Sequence, residues 1–203
     1  MTGLILKDLI NLKKVVGIYC VLIVFYIIMG ISMKNGASFM CAILCFIGVM
    51  LPMSAMAFDE QSKWDAYAAT LPISRKTIVL SRYLLGVLMA AIALLASILF
   101  VLITSKNVAA EIPTLKGTAS IGILFFSAIM QPLFKFGVEK GRIMMFIVVF
   151  VVIFGATLIP KLIGGMPSET AAMSAIIALP VISVAVLIAS FFISVGIYRK
   201  KEF

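Results

Sequence analysis

The sequence predicts an all-α integral membrane protein with six transmembrane helices, and its composition and the form of its apolar runs carry that prediction. Hydrophobic residues make up 64% of the chain and charged residues 12%, with a mean hydropathy of +1.24. An average soluble domain is roughly 45–50% apolar and about 25% charged. Lipid must therefore surround most of this chain. The apolar runs do not alternate with polar residues as barrel strands do, which leaves helices as the spanning structure.

Six stretches contain the roughly 20 apolar residues that a helix needs to cross about 30 Å of hydrocarbon. They are residues 15–33, 36–58, 78–104, 118–134, 143–160 and 171–198. The fourth stretch is short. In the sixth, Pro180 predicts a kink or a break, which makes residues 171–178 a candidate for a separate re-entrant or interfacial helix. One membrane domain accounts for residues 1–203.

The distribution of lysine and arginine predicts the orientation of these helices. With the N-terminus in the cytoplasm, the cytoplasmic loops and ends hold thirteen of these residues and the outer loops hold four. The positive-inside rule then places both termini in the cytoplasm of a multi-pass cell-membrane protein. The same distribution explains the net charge of +9 and favours contact with anionic lipid over binding to nucleic acid.

Residues that carry chemistry are scarce. The chain has no histidine, and Cys20, Cys41 and Cys45 lie in apolar runs, so the sequence predicts no metal site. All eight acids map to loops or ends of the predicted spans, which leaves acid–base catalysis without candidates. A phosphate-binding G-x-x-x-x-G-K-[ST] loop is missing. We therefore predict no catalytic, cofactor-binding or metal-binding residues and no enzyme activity in this chain.

The segment before the first span, residues 1–14, has an amphipathic pattern. Apolar residues recur at helical spacing, while Lys7, Asp8 and Lys14 fall on the other side. The pattern predicts a helix that lies in the membrane interface. Two interpretations remain open, an elbow helix that docks against a partner and a plain membrane-surface anchor.

The longest polar stretch is residues 59–76, DEQSKWDAYAATLPISRK, between the second and third spans. Trp64, Tyr67 and Leu71 fall on one face of a short helix. We expect Asp59 to cap the start of this helix, Pro72 to end it, and Ser74 to cap the next helix from about Arg75. The aromatic residues could be interfacial anchors, or the short helix could dock into a cleft of a cytoplasmic partner.

The combination of LILKDLINLKK, six spans and FDEQSKWDAYAATLPISRKTIVLSRYL resembles the permease subunits of type-2 ABC exporters, the ABC-2 family. The branch that it is most similar to is the small bacterial one, found in lantibiotic-immunity and phenol-soluble modulin exporters. The resemblance covers essentially the whole chain, and its specific part is residues 59–83.

The resemblance implies a permease that pairs with a second copy or a paralogue above two cytoplasmic ABC ATPase subunits, which bind the ATP and Mg²⁺. Gly86 and Ala90, a small-x-x-x-small pair, permit close helix contact either with that copy or within the chain. The segment after the second span becomes the coupling helix, and the N-terminal segment becomes the elbow helix. The coupling residues are Asp59, Glu60, Lys63, Trp64, Tyr67, Leu71 and Arg75, and the elbow residues are Lys7, Leu9 and Lys13. A re-entrant piece near Pro167, ahead of the last span, also fits the family.

The sequence thus predicts the permease of an ATP-driven exporter for a hydrophobic or amphipathic substrate, such as an antimicrobial or cytolytic peptide. Within transport, the alternative is the substrate-binding membrane subunit of an importer, which should show a polar pocket reached from outside. From another class, the alternative is a membrane scaffold or sensor subunit that transports nothing.

Overall fold

The structure, a computed structural model, describes residues 2–32, 36–70, 74–104, 108–162 and 169–200. This part of the chain is helical and contains no strand. The helices are α1 (Thr2–Ser32), α2 (Gly36–Gln61), α3 (Trp64–Thr70), α4 (Arg75–Thr104), α5 (Val108–Phe136), α6 (Val138–Leu162) and α7 (Glu169–Arg199).

The predicted all-α membrane fold is confirmed. Five stretches of the described helices are long and apolar enough to cross a membrane: Gly3–Ser32, Phe39–Gln61, Arg75–Thr104, Glu111–Phe136 and Ile177–Arg199. The remaining long helix is α6 (Val138–Leu162), the fifth long helix in chain order, where the sequence predicts the span 143–160. The short helix α3 lies between the second and third long helices, as expected of the 59–76 segment.

The ends of several helices meet at one end of the bundle, here called the charged end. Lys7 of α1 reaches Asp59 of α2, Glu60 of α2 reaches the first residue of α6, and Arg75 of α4 reaches the last residue of α7. The beginning of α1, the α2–α3–α4 turns, the α5–α6 turn and the end of α7 are therefore neighbours. Six spans that cross the membrane in alternating directions would bring these same ends to one side of it.

Three boundaries differ from the sequence-based expectations. The N-terminal segment 1–14 is not a separate helix, because α1 runs without a break from Thr2 to Ser32. The fourth long helix is not short, because α5 takes up residues on both sides of the predicted span and contains Pro113 and Pro132. The helix α7 continues through Pro180, so residues 171–178 form no separate piece. Prolines are tolerated in transmembrane helices because neighbouring groups satisfy the freed backbone carbonyls. Pro167 lies outside the described residues.

An aromatic core fills the half of the bundle next to the charged end. The Tyr83 ring lies 5.8 Å from Phe126, 6.3 Å from Phe134 and 5.5 Å from Phe191, between ring centroids. Phe134 in turn lies 5.7 Å from Tyr198. These contacts join α4, α5 and α7 into one packed unit, against which α2 places Val49 and Met53.

A chain of buried hydroxyls crosses the same three helices. The Tyr83 hydroxyl lies 2.8 Å from both Ser190 and Ser194, and the Ser190 hydroxyl donates to the Ser127 carbonyl at 2.8 Å. Each hydroxyl has one proton, so the direction of the chain follows. The Ser194 hydroxyl donates to the Tyr83 hydroxyl, which donates to the Ser190 hydroxyl. The Ser190 hydroxyl donates to the Ser127 carbonyl. Each of these hydroxyl protons is thus used in a hydrogen bond within the protein.

Candidate functional site at the charged end

Two cations and two carboxylates from three helices form a buried ion-pair cluster. The Lys7 ammonium lies 2.7 Å from both carboxylate oxygens of Asp59 and 3.2 Å from Asp8. The Arg82 guanidinium contacts Asp8 at 2.8 Å and also contacts Asp59 through its second nitrogen. Each carboxylate therefore has two cationic neighbours, and each cation has two anionic neighbours. We call Lys7, Asp8, Asp59 and Arg82 the ion-pair cluster.

Burial makes the charge balance of this cluster important. Asp8 is 1% exposed, Asp59 is 3% exposed and Arg82 is 4% exposed. Charges removed from water cost several kcal/mol each unless they are paired. The cluster has two positive and two negative charges, so its members compensate one another. Because they come from α1, α2 and α4, the cluster also connects these three helices.

Trp64 attaches the short helix α3 to this cluster. The Lys7 ammonium lies 4.1 Å from the centre of the indole ring, within the range of a cation–π interaction. The indole packs against the aromatic core, while its buried N–H meets no acceptor among the described residues. Trp64 therefore faces the interior of the helix bundle and is not an exposed anchor.

Tyr67, one helical turn later, is the exposed aromatic residue of α3. Its side chain is 58% exposed, and its ring centroid lies 5.3 Å from that of Trp64. Ala68, next to it, is buried against the core. Trp64 and Tyr67 therefore do not lie on one face of α3, although the sequence predicts that they do. Trp64 packs inward, and Tyr67 is the residue available for contact from outside.

The turn between α2 and α3 begins later than the sequence predicts. Asp59 and Glu60 belong to the last turn of α2, so Asp59 does not cap the short helix. Hydrogen bonds from Ser62 to the Phe58 carbonyl and from Lys63 to the Glu60 carbonyl close α2. Lys63 then adopts a φ of 51°, a left-handed conformation that is uncommon for a residue with a side chain. This reversal directs α3 back towards α1.

The turn between α3 and α4 follows the expectation where it is described. The Thr77 N–H donates to the Ser74 hydroxyl at 3.2 Å, and Ser74 also accepts the Thr77 N–H through its carbonyl. Ser74 therefore caps α4, which starts at Arg75. Leu71, predicted as a coupling residue, and Pro72 lie outside the described residues.

Glu60 connects α2 to the start of α6. Its carboxylate accepts the Val138 N–H at 2.5 Å, where the helix dipole favours a negative charge. The approach depends on Gly137, which has a φ of 83°. A Cβ at this position would lie 2.6 Å from a Glu60 carboxylate oxygen. Glycine is therefore required both by the backbone conformation and by the close contact.

Arg75 connects α4 to the end of α7. Its guanidinium donates to the Arg199 carbonyl at 2.7 Å and to the Tyr198 carbonyl at 3.5 Å. Carbonyls in the last turn of a helix have no partners within the helix. Arg75 supplies donors for two of them, and its positive charge also suits the negative end of the helix dipole.

A small polar cavity of about 70 Å³ lies beside the ion-pair cluster. Its polar lining comes from Asp59, Glu60, Arg82 and Tyr198. A cavity of this size with several polar partners can hold ordered water. The described residues contain no cluster of histidine, cysteine or carboxylate ligands that could hold a metal ion. The charged side chains of the site hold α1, α2 and α4 together through ion pairs.

Of the residues predicted from the sequence, the structure brings Lys7, Asp59 and Trp64 together. Lys13 and Leu9 of the N-terminal segment are exposed, as is Lys63. Asp8 and Arg82 are not among the predicted site residues, because Asp8 falls on the polar side of segment 1–14 and the acids map to loops or ends of the predicted spans. One signal was available. Arg82 is charged and is the fifth residue of the predicted span 78–104, where such a residue usually has a partner.

Comparison with known proteins identifies a family. The profile of the family described as ABC-2 family transporter protein matches residues 3–199, nearly the full length of the chain. No curated protein and no solved structure matches it.

Proposed function

This chain belongs to the ABC-2 family of transporter proteins and is thus a membrane permease component of an ABC transporter, and we propose that it serves an ATP-driven exporter. In this proposal the charged end faces the cytoplasm of a bacterial cell, where an ABC ATPase subunit binds beneath it. A second copy of the chain or a paralogue completes the permease. The lantibiotic-immunity and phenol-soluble modulin exporters are the branch that the proposal favours.

One observation carries the proposal: beyond the packing of Trp64 and Ala68 against the core, the Lys7 ammonium joins the short helix α3 to charges on three long helices. The Lys7 ammonium contacts Trp64 of α3, Asp59 of α2 and Asp8 of α1, and both acids contact Arg82 of α4. Asp8, Asp59 and Arg82 are buried. A movement of α3 would therefore displace these charges or separate them from one another. A force on α3 from the ATPase is therefore transmitted to α1, α2 and α4.

The proposed docking surface consists of the exposed residues of the α2–α3 turn and α3. Lys63 and Tyr67 are exposed there, next to the partly buried Trp64 and the buried Ala68. An exposed aromatic side chain on a rigid support is the kind of residue that contributes most to binding at protein interfaces. In this assignment Tyr67 contacts the ATPase, and Trp64 fixes the position of α3.

The proposed substrate is hydrophobic or amphipathic, such as an antimicrobial or cytolytic peptide. From residue 83 to the end of α4 and from residue 117 to residue 134 of α5, the sequence has no charged side chain. A charged residue at mid-membrane usually marks a path for ions or protons. The apolar walls of these helices favour a route for a substrate that already partitions into the bilayer.

Copurification of wild-type and Tyr67→Ala permeases from native membranes tests the proposal. A photoreactive ATP analogue then identifies any nucleotide-binding subunit that is recovered. We expect wild type to recover this subunit and the variant to recover at least about tenfold less, because a hot-spot aromatic residue contributes about 2 kcal/mol or more. Phe136→Ala, which removes another exposed aromatic residue of the charged end, is the matched control and should behave like wild type.

The orientation is tested separately with Lys63→Cys in a background whose three native cysteines are replaced. A membrane-impermeant maleimide should label this cysteine in inside-out vesicles and not in intact cells. Labelling in intact cells, or a wild-type permease that recovers no nucleotide-binding subunit, would contradict the proposed function.

A further inference from the structure

A cavity of about 220 Å³ opens between α4 and α7, centred on the midpoint of α4. Every residue that lines it is apolar. Val87 of α4 and Val184 of α7 stand at its mouth and are 45% and 50% exposed. At this depth the exposed surface of the protein faces hydrocarbon. The cavity is thus continuous with the lipid-contacting surface.

The hydroxyl chain described above explains why the cavity begins where it does. Tyr83 joins α4 to Ser190 and Ser194 of α7 next to the aromatic core. Further from the charged end, the facing residues become Val87 and Ala90 on α4 and Leu187 and Val184 on α7. No polar contact joins the two helices there among the described residues. Small side chains at Ala90 and Ala91 leave the space between them open.

Phe126 of α5 forms the inner wall of the cavity. Its ring lies directly on Gly86, where an added Cβ would be only 2.0 Å from the ring. This contact prevents the ring from moving towards α4 to fill the space. On the α2 side, Gly48 has no side chain to contribute. The cavity is therefore bounded by side chains that cannot close it without rearrangement.

Water is not a suitable occupant of this cavity. A buried water molecule needs two to four polar partners, and the lining offers none. The protons of the nearest hydroxyls, those of Tyr83, Ser190 and Ser194, are already committed to one another and to the Ser127 carbonyl. The mouth at Val87 and Val184 faces hydrocarbon, where acyl chains are the most abundant molecules. An apolar cavity of 150 Å³ already accommodates a molecule of benzene.

We infer that the cavity between α4 and α7 binds a single acyl chain of a membrane phospholipid. The chain enters past Val87 and Val184, and its methyl end lies against Phe126. The phospholipid headgroup stays at the membrane surface, because the cavity offers nothing to a polar group. This inference does not depend on the direction of transport or on the identity of the transported substrate.

The experiment uses the full-length protein in nanodiscs of phosphatidylglycerol and phosphatidylcholine, with a trace of phosphatidylglycerol that carries a diazirine in the middle of one acyl chain. After irradiation, mass spectrometry of peptides locates the label. We expect the label to concentrate on the cavity walls around Ala90, Ala91, Val184 and Leu187. Ala90→Leu should lower labelling of these walls at least about tenfold, because the new side chain takes up the space of the acyl chain.

Ile92→Phe enlarges a lipid-facing residue of the same helix outside the cavity lining and should leave the pattern unchanged. Val184→Phe fills the cavity from α7 and provides a second variant if Ala90→Leu does not fold. Labelling spread evenly over the lipid-facing surface, with no change in either filling variant, would overturn the inference. So would disulfide crosslinks between two copies of the chain that carry Ala91→Cys or Val184→Cys in place of the three native cysteines, formed with copper phenanthroline as the oxidant, because these would show a second copy in place of the lipid.

Discussion

Both carboxylate oxygens of Asp59 lie 2.7 Å from the ammonium of Lys7, across fifty-two positions of sequence. This contact fastens the beginning of α1 to the end of α2, immediately before the turn that leads into α3. The same ammonium lies over the ring of Trp64. The position of the short helix is thus determined by charges on two other helices as well as by its own packing.

Asp59→Asn should destabilise the permease strongly. The substitution keeps the shape of the side chain but removes the negative charge that faces Lys7 and Arg82. Lys7 is partly exposed and can be solvated, whereas Arg82 is 4% exposed and cannot. Breaking a buried pair in this way costs about 3–5 kcal/mol, because one charge is left without compensation. Thermal unfolding of the purified protein in detergent measures the loss. Glu139→Gln, which neutralises an exposed acid of the same end, should unfold with wild type, and an unchanged Asp59→Asn would show that the cluster does not stabilise the fold.

Asp8 and Arg82 should show energetic coupling in a double-mutant cycle. Their side chains lie 2.8 Å apart and both are buried. Asp8→Asn and Arg82→Gln each leave an unbalanced charge, whereas the double variant removes one charge of each sign. We expect the double variant to lose about 1–3 kcal/mol less than the sum of the two single losses. Additive losses would mean that the two residues contribute independently, which the ion pair does not allow.

Trp64 and Tyr67 should give different defects when each is replaced by alanine. Trp64→Ala removes an indole that packs against the core and faces Lys7, so we expect a loss of about 3 kcal/mol in stability, the lower end for a tryptophan. It should also separate ATP hydrolysis from transport, because α3 loses its attachment to the cluster. Trp64→Phe, which keeps an aromatic face for Lys7, should recover part of both properties.

Tyr67→Ala should leave the unfolding temperature of the permease alone close to that of wild type, because this side chain is largely outside the core. If Trp64→Ala retained wild-type stability and coupling, the inward role of Trp64 would be wrong. If Tyr67→Ala lowered permease stability as much as Trp64→Ala, α3 would have no separate outer surface of the kind proposed here.

The long helices and their order could be predicted from the sequence, because each needs only an apolar run that is long enough to cross the bilayer. The start of α4 was also predictable, since Ser74 follows Pro72 and provides a capping hydroxyl. Boundaries governed by tertiary contacts were not. Asp59 and Glu60 resemble the start of a helix, yet they end α2, because Lys7, Arg82 and the Val138 N–H hold their carboxylates there.

The ion-pair cluster could not be predicted for a related reason. Helical periodicity places Asp8 among the polar residues of α1, a face that was expected to point to water. The partner that makes its burial possible is Arg82, which is seventy-four positions away in sequence. Only the packing of α1 against α4 brings the two together, and no local pattern contains that information. The same holds for Pro180, where local propensity predicts a break and the membrane environment allows the helix to continue.

Gly86→Ala and Gly196→Ala should change stability in opposite directions, although both add one methyl group to a long helix. At Gly86 the new Cβ would lie 2.0 Å from the Phe126 ring, so the ring or the helix must move, and overpacking of this kind costs about 1–3 kcal/mol. At Gly196 nothing lies within 4 Å, and the greater helix propensity of alanine should contribute about 0.5–1 kcal/mol. Thermal unfolding of the two variants in the same detergent compares them. The combination of Gly86→Ala with Phe126→Leu should recover part of the loss, because the smaller side chain makes room for the methyl group. A Gly86→Ala protein as stable as wild type would show that Phe126 can leave Gly86 freely, and the cavity between α4 and α7 would then have no fixed inner wall.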